Sequence, residues 1–190
     1  MPNEQSGFPP IIRTERLLLR PFRLDDAPDV FSYASDDEVS RYMTWDTHRS
    51  IEDSLAYIRY SLDAYAGGHH YDYAFELAET GRVIGGGGAF KDLEDSARFA
   101  EIGYVLHRDY WGRGLVPEAM SAFLRFLFEE KGIHRVEAYH FEENRKSGRV
   151  MEKIGMRYEG THRDKYFVKG AYRTICTYAA INPAHEEASV

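Results

Sequence analysis

A strand-like run, a glycine turn and an amphipathic helix follow one another without a break between Ala100 and Glu130: AEIGYVL, then HRDYWGRG, then LVPEAMSAFLRFLFEE. Val116, Ala119, Met120, Phe123, Leu124, Leu127 and Phe128 recur at helical spacing, so one stripe of the helix is apolar and must be covered. Together with the strands and helices on either side, this order indicates a mixed α/β sheet and not a doubly wound one.

The turn also has a chemical meaning. A glycine-rich turn feeding a helix N-terminus presents unpaired backbone N–H groups and the positive end of the helix dipole, an anion site suited to a pyrophosphate. Gly112 and Gly114 let the backbone come close to phosphates, and Arg113 adds a cation. A dinucleotide fingerprint would need a third glycine where this chain has Pro117, and no ribose-binding acid stands at the expected distance. The lysine of a P-loop is missing as well. A Rossmann-type oxidoreductase is therefore disfavoured.

On either side the pattern continues in kind. Residues 1–12, with Pro2, Pro9 and Pro10, read as a loose leader, and residues 183–190 as a flexible tail around a single domain of 13–182. RLLLRPF (Arg16 to Phe22) reads as a strand, and Asp25 or Asp26 as the cap of a helix with Ala27, Val30, Phe31 and Ala34 inward. Ser50 caps the next helix, with Ile51, Leu55, Ile58 and Leu62 on its buried face and Gly67-Gly68 at its end. Strands follow over 71–77, 82–90 and 99–106, with Glu79-Thr80-Gly81 turning between the first two. Gly85-Gly86-Gly87-Gly88 inside the second strand indicates tight strand packing in preference to a phosphate loop, since no helix opens after it. Beyond the amphipathic helix come a strand over 133–141, a short helix capped by Asn144 and stopped by Gly155, and a hairpin of 156–168 with 171–181 around Lys169-Gly170.

Composition narrows the function. With 24 Lys plus Arg against 31 Asp plus Glu the net charge is −7, which disfavours nucleic-acid binding and suits a cationic substrate such as an amine. No stretch approaches the roughly 20 apolar residues of a membrane span, and no secretory signal is evident, so a cytoplasmic protein is expected. Cys176 is the only cysteine, which excludes an internal disulfide and a cysteine-rich zinc site. His69-His70 are adjacent in a glycine-rich turn, and His134 and His140 flank a strand without carboxylate or thiol partners, so no metal is expected.

Taken together, TERLLLRPF, DDEVSRYMTW, EIGYVLHRDYWGRGLVPEA, ENRKSGRVMEKIGMRYEG and YFVKGAYRTICTYAAI resemble, in that order, the GNAT superfamily of acetyl-CoA-dependent N-acetyltransferases. The resemblance runs from about Arg13 to Ile181 and is nearest to the branch of the RimJ and RimL ribosomal-protein N-terminal acetyltransferases. It implies the GNAT fold, a mixed, mostly antiparallel central sheet of about seven strands flanked by helices. It also implies acetyl-CoA as cosubstrate. The family motif Gln/Arg-x-x-Gly-x-Gly/Ala reads here Trp111-Gly112-Arg113-Gly114-Leu115-Val116, departing from it at Trp111 and Val116.

By the same resemblance the strand Ile102–His107 lies along the pantetheine arm, with backbone groups near Val105, Leu106 and His107 pairing with it. Asn144 and Ser147 match the family's Asn-x-x-Ser, which faces the pantetheine and its sulfur. Arg149, with Lys146 or Lys153, meets the phosphate-bearing end, although a solvated helix face explains the lysines as well. The implied reaction is direct attack of an amine on the thioester in a ternary complex. Glu101 is the candidate base, with a cross-strand ion pair as its alternative role; the Val105 N–H is the candidate oxyanion donor, and Ser147 and Tyr166 compete as the acid. Tyr42, Met43 and Trp45, with Tyr71 and Tyr73, are the candidates for the acceptor pocket. The acceptor is a protein N-terminus of the ribosomal type or a small-molecule amine, and a homodimer is left open. A non-catalytic acyl-CoA-binding sensor or partner module is the alternative from another class.

Overall fold

The computed structural model describes residues 8–66, 71–89 and 98–186. The glycines 67–68, His69-His70 and the two ends of the chain lie outside that range. Eight strands form one sheet: β1 (Ile12–Arg13), β2 (Leu17–Arg20), β3 (Tyr71–Leu77), β4 (Val83–Ala89), β5 (Phe99–Leu106), β6 (Arg135–Phe141), β7 (Arg157–Val168) and β8 (Ala171–Ile181). Their order is β1-β2-β3-β4-β5-β6-β8-β7. Every neighbouring pair is antiparallel except β5 with β6, so the sheet is mixed and mostly antiparallel as expected. The strand beyond the expected seven is β1, two residues at the edge of the expected leader that pair with Leu18 and Leu19. A two-residue bridge has no alternation to read, and it forms because Ile12 packs on the core.

Among the described residues six helices accompany the sheet: α1 (Ala27–Ala34), α2 (Asp37–Ser40), α3 (Ile51–Ala66), α4 (Leu115–Glu129), α5 (Arg145–Lys153) and a single turn, α6 (Pro183–Glu186). Strand alternation divides the core in two. Tyr73 and Phe75 of β3 face α4, where they meet Met120, Phe123 and Leu127. Ala74 faces the other way, with Phe22, Val30 and Ile58 of the α1–α3 layer. No described helix is long and apolar enough to cross a membrane.

The buried face of α3 differs from the one its apolar residues suggest. Ile51 is 37% exposed, whereas Ser54, Ile58, Ser61 and Tyr65 are buried. Ser54 Oγ lies 2.8 Å from His48 Nδ1, and Ser61 and Tyr65 turn inward to Asp72 on β3, whose carboxylate accepts hydrogen bonds from Tyr57 Oη (2.7 Å) and Ser61 Oγ (2.9 Å), while Tyr65 Oη donates to its carbonyl. Polar side chains claim the inner face because a buried carboxylate needs donors.

Asp26 is likewise occupied. It stands at the N-cap of α1 but makes no cap bond with its side chain. Instead it accepts two bonds of 2.7 Å from the guanidinium of Arg20 and one from Arg23 N. Arg20, 2% exposed, also pairs with Glu76 of β3. Burial by itself would make that guanidinium easier to deprotonate, but the two carboxylates more than offset it and hold it protonated.

The four glycines of β4 serve close packing. A Cβ on Gly88 would fall 1.8 Å from Tyr71 O, and one on Gly86 would fall 2.9 Å from both Tyr73 O and the Phe22 ring. The run is paired on both sides, as the tight-packing reading requires.

Glu118, in the first turn of α4, ties the N-terminal segment to the helix. It accepts from Thr14 Oγ1 (2.6 Å), Arg16 N (2.8 Å) and Arg16 Nε (2.7 Å). Partial burial raises its pKa, but these donors prevail and leave it below the ordinary value. The stabilisation is therefore complete above the usual carboxylate range and is lost as pH falls through the lowered pKa. Glu118→Gln is expected to cost about 1–3 kcal/mol at neutral pH, with the difference from wild type shrinking towards zero in acid. Urea denaturation across pH measures this, and a pH-independent difference would contradict it.

Candidate active site

The glycine turn begins where β5 stops. His107 is followed by one tight helical turn, Arg108–Tyr110, and then by Trp111. Gly112 and Gly114 both have φ of +77°, a conformation that costs glycine nothing and other residues 1 kcal/mol or more. Gly114 is the N-cap of α4 and offers no side chain, so the first amides of the 15-residue helix point outward. Two contacts hold this turn in place. Trp111 Nε1 donates to Leu106 O at 2.8 Å, and Arg16 donates through Nη1 to Arg113 O at 3.0 Å. Lys146 of α5 lies over the Trp111 ring with its Nζ 4.6 Å from the centroid.

Beside the turn runs a groove of about 790 Å³. Trp111, Gly112, Gly114, Leu115 and Val116 form one wall, and Asn144, Ser147 and Arg149 of α5 form the other, with Val105 and Leu106 at the base. Lys146, Lys153, Arg145 and Arg41 add positive charge along it. Arg113 and His107 are outside this lining. Arg113 stacks on the Tyr110 ring at 5.0 Å, and His107 N donates to Ile84 O at 2.7 Å.

The base of the groove is an opening in the sheet. β5 and β6 are paired at only three positions, ending at Glu101 with Glu137. From there β5 follows β4 as far as Leu106, and β6 follows β8 as far as Phe141. The two strands diverge and leave a cleft between them. Asp72, Gly88 and Gly103 lie in one row across β3, β4 and β5, so Asp72, Glu101 and Val105 point to the α1–α3 face. Tyr104 and Leu106 point to the α4–α5 face.

The same register sets the direction of the Val105 N–H. His107 N bonds Ile84 O, and alternation along an antiparallel ladder makes Val105 and Gly86 the next hydrogen-bonded pair. The Val105 N–H is thus committed to β4, and the amides directed into the cleft are those of Tyr104 and Leu106.

A second cavity, of about 340 Å³, opens on the α1–α3 side. Tyr42, Met43 and Trp45 from the segment after α2 cover it, and Glu101, Tyr57, Asp72 and Tyr139 line it. Tyr42, Met43, Tyr104, Val105, Asn144 and Ser147 border both cavities, so the two meet at the cleft. Tyr104 Oη lies 2.9 Å from both the carbonyl oxygen and the Oγ of Ser147. Burial pushes the Tyr104 phenol well above its ordinary pKa, with the Ser147 bond a smaller opposing effect. Burial, then the neighbouring Tyr166 and Glu101, pushes Tyr139 up to about 12.

Three expectations are adjusted by these positions. Asn144 stands at the N-cap of α5 but makes no cap bond with its side chain, which borders both cavities instead. Tyr73 is outside both cavities, because alternation turns it towards α4, where it meets Phe123 and donates to Pro10 O. Tyr166 is one layer away, its ring centroid 5.2 Å from that of Tyr139. Tyr104, Tyr57, Asp72 and Tyr139 were not singled out from the sequence; two-residue steps from Glu101 or its paired strands would have found Tyr139 and Asp72. Among the described residues no group of three or more His, Cys, Asp or Glu side chains could hold a metal ion.

The family model for the GNAT acetyltransferase domain matches residues 16–157. The chain belongs to the GNAT family. It is an acetyl-CoA-dependent N-acetyltransferase of that family. N-acetyltransferase YoaA of Bacillus subtilis (strain 168), itself uncharacterized, is 31% identical over 92% of this chain and 98% of its own. The crystal structure of a GNAT-family acetyltransferase from Bacillus anthracis superposes with a TM-score of 0.81 at 29% identity, covering 91% of this chain and 99% of that one. The ribosomal protein uS5-alanine N-acetyltransferase of Escherichia coli (strain K12) is 29% identical over 43% of this chain and 42% of its own.

The groove fits the cosubstrate of a GNAT enzyme. A Cβ on Gly112 would meet nothing within 4 Å, so bare backbone faces the open groove at the helix N-terminus, where a pyrophosphate binds best. The cleft beside it presents the backbone amides of Tyr104 and Leu106 next to Ser147.

Proposed function

We propose that this enzyme transfers the acetyl group to a primary amine by direct attack, with the amine and acetyl-CoA approaching from opposite faces of the sheet. The observation that carries this reading is the three-position pairing of β5 with β6. Beyond it, a carboxylate on one face and a hydroxyl on the other border connected cavities. Glu101 receives the proton of the attacking amine, directly or through a water. The amides of Tyr104 and Leu106 stabilise the charge that develops on the acetyl oxygen, and Ser147 attends the sulfur. Tyr166 lines neither cavity and acts through the Tyr139 ring it packs on, and Ser147 is preferred to it beside the sulfur.

The leading acceptor is a protein N-terminus of the ribosomal type, which the likeness to the uS5-alanine enzyme and the motif pattern of the RimJ and RimL branch support. A small-molecule amine has nearly equal support, since an aromatic cavity of about 340 Å³ also accommodates a compact amine. The reaction would take place in the cytoplasm.

Free-thiol release from acetyl-CoA, screened over N-terminal peptides, polyamines, amino acids and amine antibiotics, tests this. At least one class is expected to release thiol in step with acetylated product. Tight CoA binding without release from any class would favour the non-catalytic sensor.

A further inference from the structure

We propose that Tyr104 is a positioning residue for Ser147, and that the two side chains form a two-position hydroxyl switch where the cofactor groove meets the acceptor cavity. The inference rests on the acetyl-transfer reading above and assigns a device within it.

The phenol of Tyr104 has one proton and two acceptors, Ser147 O and Ser147 Oγ, each at 2.9 Å. When the phenol donates to the carbonyl, the Ser147 hydroxyl proton is drawn back onto the phenol oxygen. When the phenol donates to Oγ, the Ser147 proton is released to point into the cleft. The exchange needs only rotation about two C–O bonds, and no heavy atom moves.

Close packing fixes both partners. A Cβ on Gly148, the residue after Ser147, would fall 2.7 Å from His140 Nε2, so α5 is seated hard against β6. A Cβ on Gly87 would fall 2.9 Å from Tyr104 Cβ, so only glycine there leaves room for the tyrosine. Tyr104 stands three residues past Glu101, the last position at which β5 pairs with β6, and its hydroxyl bridges β5 to α5 at that point.

Burial keeps the phenol neutral, so Tyr104 supplies a hydrogen bond and not a proton. Ser147 is too weak an acid to be ionised and also acts as a donor. In the step itself the nitrogen lone pair forms the C–N bond, and the C–S bond breaks with its electron pair on sulfur. The ammonium proton passes to Glu101. The thiolate is held by the Ser147 O–H and takes its proton from solvent. Donation by Tyr104 to Oγ polarises the Ser147 O–H and strengthens its bond to sulfur.

The test is the pKa of the CoA thiol bound to the full-length enzyme, followed by ultraviolet thiolate absorbance, together with turnover. Tyr104→Phe is expected to raise the bound-thiol pKa towards that of free CoA and to lower kcat about tenfold, with KM for acetyl-CoA within about twofold of wild type. Ser147→Ala is expected to do the same or more, and the double variant no more than Ser147→Ala alone, because the two act as one unit. Fluorotyrosine at position 104, a stronger donor of the same shape, should shift the bound-thiol pKa the opposite way and guards against misfolding of the phenylalanine variant. An unmoved bound-thiol pKa, or losses that multiply in the double variant, overturns the proposal. The titration needs no acceptor. A shift in an enzyme that acetylates no amine would sink the acetyl-transfer reading and uphold Tyr104, whereas an unmoved titration in an active enzyme would sink Tyr104 alone.

Discussion

Glu101→Gln is expected to lower turnover by roughly 10²–10⁴-fold while acetyl-CoA affinity stays within about twofold, the pattern of a lost general base. Glutamine keeps the size of the side chain but cannot take the amine proton. Glu101 lines the acceptor cavity and not the cofactor groove, so the change spares the surface that holds CoA. Turnover equal to wild type across the pH range would remove Glu101 from the mechanism and leave it a role in pairing strands.

The largest stability effect is expected at Arg20. Arg20→Met leaves Asp26 and Glu76 without their shared cation, and removing one partner of a buried ionic cluster costs about 3–5 kcal/mol. For a domain of this size that is a fall in Tm of roughly 6–20 °C. The cluster joins β2 and β3 to the entrance of α1, so the loss should be felt first in the α1–α3 layer. A thermal melt and urea titration check the value. A variant in which Asp26 and Glu76 are also made neutral should recover much of the loss, because the cost lies in the stranded charges. A change below about 1 kcal/mol for Arg20→Met alone would mean that the carboxylates find other partners.

The sequence is most legible where a local pattern is also the structural one. The glycine turn, the stripe of α4 and the closing hairpin were all readable because strand and helix periods are broken there by glycines at 112, 114, 132 and 170, each with positive φ. The buried face of α3 is not legible from its apolar residues because Ser61 and Tyr65 turn inward to Asp72 and Ser54 to His48, partners on other segments. Tyr73 is an aromatic at the right place in the chain, but its neighbour Asp72 is the one that alternation turns to the cavity. The direction of the Val105 N–H is not legible locally, because parity along β5 depends on which neighbour takes which carbonyl. Tyr104 and Ser147 are 43 residues apart and meet only through the packing of α5 on β6. No local spacing carries that contact.

The order of the strands bears on how the protein is made. β8 lies between β6 and β7 although it is the last strand in the chain, and it is the neighbour that β6 follows when it parts from β5. While the ribosome is still short of Ile181, β6 has an open edge on that side and nothing to draw it away from β5. A nascent chain could form the glycine turn and α4 early, from local contacts. The gap between β5 and β6 is completed only when the final strand joins the sheet beside β6.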